Sequence, residues 1–283
     1  MNKTGIHSLH VPHQRKETRY MKVHLIVVKL ARGSAFLHNL LLKRYKRRME
    51  VVREGRVITQ PMAYDALDNR SSREAYKHYE DYTRYRTFEL VADEIRRKYS
   101  PEELSRFCVA EAGVFKGDFS WIINEKFPEC EMYLYDTFEG FDQKDLKDEV
   151  HRSFTEKERL KTHSGYFGNQ AENSRQRIAA VKSKLKYKEK CHIRKGYFPD
   201  TAEKEKEKRW VFVSLDMDLY QPMKAGIFYF WPKMVEGGFM FIHDYNNRDF
   251  GGVKKAIAEA EEEFGRICKI PISDEGGTLI LCK

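Results

Sequence analysis

The sequence predicts an open, doubly wound α/β sheet, mostly parallel with an antiparallel last strand, preceded by a helical N-terminal extension. Three observations predict it. Short apolar runs alternate with amphipathic helical segments from Phe107 onwards, the order of a βαβ series. The last two apolar runs are joined through Gly276-Gly277 with no helix between them, which reads as an antiparallel pair. Polar clusters also recur where strands run out: Glu111-Ala-Gly113-Val-Phe-Lys-Gly117, Tyr135-Asp136-Thr137-Phe138, Leu215-Asp216-Met217-Asp218 and Ile242-His243-Asp244-Tyr245. In such sheets ligands bind beyond the carboxyl ends of the strands, so four clusters on one edge read as a single site.

The elements follow in order. A helix is expected over Tyr82–Arg97, with Tyr85, Leu90, Val91 and Ile95 on its apolar side. After Ser100-Pro101 come strand Phe107–Ala110, helix Phe119–Lys126 and strand Glu131–Tyr135. Residues 142–170 are charged and without period, which predicts a mobile loop. Helix Asn173–Leu185, strand Cys191–Arg194, strand Trp210–Leu215 and the aromatic helix Met223–Val235 are next. Strand Phe239–Ile242, helix Val253–Phe264 and the closing pair Ile267–Ile272 and Thr278–Cys282 complete the series. Hydrophobic content of 41%, with 13% aromatic residues, supports a packed core. The chain thus divides into a basic helical extension over 1–80 and one α/β domain over 81–283.

The net charge of +9 would suggest an anionic partner, but its distribution argues otherwise. Residues 1–60 hold 14 Lys+Arg against 3 Asp+Glu, and the remainder holds 38 against 40. The excess belongs to the extension, where residues 35–48 have the pattern of a basic amphipathic helix. Such a helix packs on the domain or on a second subunit, or associates peripherally with an anionic membrane surface. Nothing nearby reads bases, so nucleic acid is not expected. The apolar run Val23–Val28 is broken by His24 and is too short for a transmembrane segment. Five scattered cysteines without CxxC spacing indicate neither a disulfide framework nor a zinc site, which fits a cytoplasmic protein.

Glu111-x-Gly113-x-x-x-Gly117 falls on a strand-to-helix turn, where glycines permit tight turning and close approach by a ligand. The third glycine of GxGxxG is missing and no GxxxxGK[ST] occurs, so neither a dinucleotide fingerprint nor a triphosphate loop is present. Asp136 lies about 20 residues beyond, where an acidic residue captures ribose hydroxyls in nucleotide-binding α/β folds; the other use is capping its own turn. Asp216 and Asp218 would face one side of a strand, with His243-Asp244 ending the adjacent one. Oxygen ligands with one nitrogen suit a hard cation such as Mg²⁺ or Mn²⁺. Tyr197 and Phe198 follow the third strand and serve either as an adenine wall or as core.

Five blocks in order carry a resemblance. Beside the Glu111–Gly117 and Tyr135–Gly140 segments stand Lys195-Gly-Tyr-Phe-Pro-Asp-Thr201, Leu215-Asp-Met-Asp-Leu-Tyr220 and Glu236-Gly-Gly-Phe-Met-Phe-Ile-His-Asp-Tyr245. From Tyr82 to Lys283 the chain resembles the macrocin O-methyltransferases (TylF/MycF type) of the class I S-adenosylmethionine-dependent methyltransferases. The resemblance implies a Rossmann-like sheet, methyl transfer to a hydroxyl of a sugar, glycan or natural-product glycoside, and a homo-oligomer. It implies that Glu111, Gly113 and Gly117 flank the methionine part of S-adenosyl-L-methionine and that Asp136 holds its ribose. Thr137, Phe138, Tyr197 and Phe198 would lie near the adenine. Asp216, His243 and Asp244 would hold a divalent cation, with Asp216 or Asp218 as general base; His243 stands where one form of the pattern has an acidic residue. The 142–170 segment and the N-terminal helices would close over the site. The rival readings are a non-catalytic cofactor-binding subunit, which has no use for the acidic groups, and a nucleic-acid methyltransferase. Asp216-Met-Asp-Leu lacks the Pro-Pro-aromatic turn that base methylation commonly employs.

Overall fold

The computed structural model describes residues 82–157, 159–160, 173–274 and 276–283; the expected extension over 1–80, with its 35–48 helix, lies outside them. Seven strands form one sheet: β1 Cys108–Ala112, β2 Glu131–Asp136, β3 Cys191–Lys195, β4 Trp210–Leu215, β5 Met234–Ile242, β6 Cys268–Pro271 and β7 Leu279–Cys282. Their order is β3-β2-β1-β4-β5-β7-β6. β1 to β5 pair in parallel, whereas β7 runs antiparallel to both β5 and β6. The strand order reverses between β1 and β4, which makes the switch point at which such sheets take ligands.

The helices are α1 Tyr82–Lys98, α2 Pro101–Leu104, α3 Asp118–Lys126, α4 Gln143–His151, α5 Ser174–Lys184, α6 Tyr220–Phe230 and α7 Gly252–Phe264. β1 and β4 are buried along their whole length, as parallel strands covered on both faces must be. On one face Phe88 of α1 meets Phe119, Phe127, Phe212 and Phe241 edge-on. That geometry suits the aromatic quadrupole and fixes α1 against the sheet. The other face packs Trp210, Met223, Ile227, Phe230, Val253 and Ile257. Among the described residues no helix is long and apolar enough to cross a membrane.

Several expectations need correction. Leu90 is 50% exposed; the buried side of α1 is Tyr85, Phe88, Val91, Ala92 and Ile95. Residues 142–170 are not loop throughout, because α4 occupies 143–151. Its sequence QKDLKDEVH is polar almost all round and hides the period, yet Asp142 caps it by accepting from the Lys144 N–H (2.7 Å). The helix expected at Met223–Val235 begins at Tyr220 and ends at Phe230. β5 starts at Met234, five residues ahead of the expected Phe239. Glu236-Gly-Gly238 falls between the expected helix and strand, but β5 runs through it, with a register shift against β4 between Trp210–Met234 and Phe212–Phe239. β1 also runs two residues further than expected, to Ala112, which takes Glu111 into the sheet.

Candidate active site

At the carboxyl edge of β1, β2 and β4 a cavity of about 660 Å³ opens, within the range of small-molecule sites. Of the residues expected there, Gly113, Asp136, Thr137, Phe138, Tyr197 and Phe198 line it, and so do Asp216 and Asp218. Glu111, Gly117, His243 and Asp244 are not among its lining residues.

The glycine turn is shaped by packing within the protein. Gly113 has φ 87°, and a Cβ there would lie 1.8 Å from the Asp216 carbonyl oxygen. Only glycine lets β1 end this close to β4, where the Asp216 N–H donates to the Ala112 carbonyl (2.8 Å). Gly117 starts α3 with φ 74°, and its missing Cβ makes room for Val181 of α5. Glu111 is buried and accepts from the Ser120 hydroxyl. Burial raises its pKa to about 8, against the opposing Ser120 hydrogen bond and the Arg84 charge.

Asp136 does cap its own turn: Oδ1 accepts from the Phe138 N–H (2.6 Å). Oδ2 accepts from the N–H groups of Val114 (2.7 Å) and Phe115 (2.9 Å), so one carboxylate joins the β1 and β2 turns. Thr137 Oγ1 donates to the Gly140 carbonyl (2.7 Å), closing the same turn. Phe138 is 3% exposed and takes the left-handed φ of 54°. The two readings of Tyr197-Phe198 both apply. Phe198 stacks on Phe230 at 5.5 Å and belongs to the core, yet it also lines the cavity. The Tyr197 hydroxyl donates to Asp145 Oδ1 (3.1 Å), tying β3's exit to α4.

The acidic cluster converges by a different route from strand alternation. β4 ends at Leu215, and Asp218 follows in a left-handed turn with φ 62°. His243 Nδ1 lies 2.8 Å from both Asp216 Oδ1 and Asp244 Oδ2. Asp244 Oδ1 accepts from Asn247 Nδ2 (2.7 Å). A residue that the sequence did not single out completes the group. Arg84 of α1, 3% exposed, donates from Nη1 to Asp216 Oδ2 (2.9 Å) and from Nη2 to Ser214 Oγ (3.2 Å). Its guanidinium also lies 4.2 Å from the Phe119 ring centroid. Arginine on the buried side of an amphipathic helix was the available signal.

Three carboxylates therefore face two cationic side chains. Burial works to raise Asp216, but His243 and Arg84 outweigh it and hold that carboxyl well below the usual range. Burial and then the negative charges of Asp244 and Asp216 push Asp218 well above it. Burial opposes protonation of His243, yet Asp216 and Asp244 raise its pKa well above the ordinary imidazole value. Its Nε2 is buried without a hydrogen-bond partner among the described residues. Gly276 from the β6–β7 turn closes over it, at a position where a Cβ would sit 2.0 Å from Nε2.

A family model described as Macrocin-O-methyltransferase (TylF) matches residues 35–271. The chain belongs to that family. It is an S-adenosylmethionine-dependent O-methyltransferase. The match begins ahead of Tyr82, so the family region includes the basic 35–48 segment that the motif resemblance left out. Membership also sets aside the non-catalytic subunit. The enzyme's fold is similar to that of the O-methyltransferase NovP, with TM-score 0.54 and 17% identity over 71% of this chain and 79% of that one. CalS11, a calicheamicin methyltransferase, gives 0.53 and 17% over 79% and 87%. At these identities the likeness is one of fold. No curated protein matches the chain.

Proposed function

We propose that the enzyme transfers the methyl group of S-adenosylmethionine to a hydroxyl of a sugar or natural-product glycoside, with a divalent cation, Mg²⁺ first, held by Asp216, His243 and Asp244. One observation carries this reading: Asp216 both lines the cavity and shares the His243 nitrogen with Asp244. The family's description names macrocin and CalS11 is named for calicheamicin, which supports a natural-product acceptor.

The donor set fits a hard cation. Asp216, His243 and Asp244 each offer one ligand atom within 4.8 Å of one another. The negative charges of Asp244 and Asp216 repel an ionised Asp218, a repulsion that a bound cation would relieve. When bound, the cation would lower the acceptor hydroxyl's pKa and the cofactor would supply the electrophilic methyl group.

The chain's own residues position and deprotonate. Asp136 accepts three backbone N–H groups, leaving about one of roughly four acceptor sites of a carboxylate for a ribose hydroxyl. Phe138, Tyr197 and Phe198 offer aromatic surface for adenine. Asp216 is the weaker choice of base, because Arg84 and His243 already engage its two oxygens. Asp218 lines the cavity with no arginine bonded to it among the described residues; a bound cation beside it would hold it ionised, and it takes the hydroxyl proton as the methyl group is transferred.

Calorimetry with S-adenosylmethionine, with and without Mg²⁺, followed by turnover on deoxysugar glycosides and nucleotide sugars, tests the reading. Asp216→Asn and Asp218→Asn should keep cofactor affinity and lose turnover by about 10²-fold or more. Undiminished turnover of Asp216→Asn refutes it.

A further inference from the structure

We propose that Cys268 and Cys282 form a redox-active dithiol that closes reversibly into a disulfide across the β6–β7 edge of the sheet. The ladder register sets Cys268 directly opposite Cys282. Opposed residues of an antiparallel pair send their side chains to one face, so the two thiols share a side of the ladder. Cα atoms of such pairs are about 4.5–5.5 Å apart, inside the roughly 4.4–6.8 Å window of disulfides. β6 is an edge strand with all four residues exposed, so no second strand holds its outer side on closure.

Both thiols are free, Cys268 exposed and Cys282 half-buried. The other cysteines do not compete. Cys108 and Cys130 are buried in the cores on opposite faces of the sheet, and Cys191 lies on β3 at the far edge. The order of attack follows from exposure. The Cys268 thiolate attacks a low-molecular-weight disulfide, and one thiolate leaves. The Cys282 sulfur then attacks the mixed disulfide at Cys268 and expels the second. The protein loses two electrons and two protons, and the oxidant becomes two thiols. Burial pushes the Cys282 thiol up to about 11, which suits the second, resolving position.

The site bears on the active centre through the same hairpin. At its tip Gly276 packs on the His243 ring, and the Gly277 carbonyl accepts from the Asn246 N–H (3.0 Å). A covalent closure at the open end restrains the segment that seats His243.

Equilibrating the reduced full chain with glutathione disulfide under native conditions, then mapping peptides by mass spectrometry, tests this. The expected product lacks two hydrogen atoms and carries one Cys268–Cys282 link that dithiothreitol reverses. Its thermal midpoint should rise by several degrees, on the order expected for a loop of about 15 residues. Cys268→Ser should abolish the link and the shift while leaving reduced-state turnover unchanged. Stable glutathione adducts on Cys268 without linkage, or links between two chains, would overturn the proposal.

Discussion

Replacing Arg84 by Met tests whether α1 belongs to the charge balance of the active site. The change removes a 2.9 Å bond to Asp216, a 3.2 Å bond to Ser214 and a cation lying 4.2 Å from the Phe119 centroid, while keeping most of the stem. Removing one partner of a buried ion pair costs about 3–5 kcal/mol. The Asp216 side chain is 22% exposed and keeps His243, which places the expectation near the lower end, at about 3 kcal/mol. Urea denaturation of wild type, Arg84→Met, Asp216→Asn and the double variant would measure it. A coupling of about 1–2 kcal/mol is expected between residues that share a buried bond. The Asp216 carboxyl, followed by NMR, should move up toward the ordinary range. Additivity within about 0.5 kcal/mol, with no movement of Asp216, would refute the pairing as an energetic unit.

Other variants address the packing behind the site. Gly276→Ala, outside the cavity, should displace His243 and cut turnover about 10-fold or more while cofactor affinity stays within about twofold; unchanged kinetics would show that the hairpin tip has no bearing on the site. Gly113→Ala combines a left-handed φ with a backbone clash at 1.8 Å, so a loss of about 3 kcal/mol or more in urea stability is expected. Asp136→Ala leaves the N–H groups of Val114, Phe115 and Phe138 without their acceptor and should weaken cofactor binding by about 2–3 kcal/mol in calorimetry. Glu111 is held at about 8 against an ordinary 4.5, so the folded chain binds a proton that the unfolded chain has released. Stability should therefore decline as pH rises from 4.5 to about 8, and Glu111→Gln should flatten that decline in urea midpoints measured across the range. An identical slope in the variant would mean that Glu111 is not the titrating group.

Much of the fold was legible before the structure. β4 was expected at Trp210–Leu215 and occurs there, and α3, α5 and α7 fall within two residues of expectation, because strand and helix periods are properties of short windows. Two of the misses share a cause. α4 is polar nearly all round, and the Gly237-Gly238 shift inside β5 interrupts its apolar run, so neither shows its pairing in its own residues.

The site divides in the same way. Local sequence sufficed to put Asp136, Asp216, Asp218 and His243-Asp244 at strand ends, since each sits beside its own apolar run. Packing decided what they touch. Arg84 reaches Asp216 across 132 positions, and Gly276 closes on His243 from another hairpin. Those relations depend on which strands become neighbours, and no window of sequence contains both partners and the sheet that joins them.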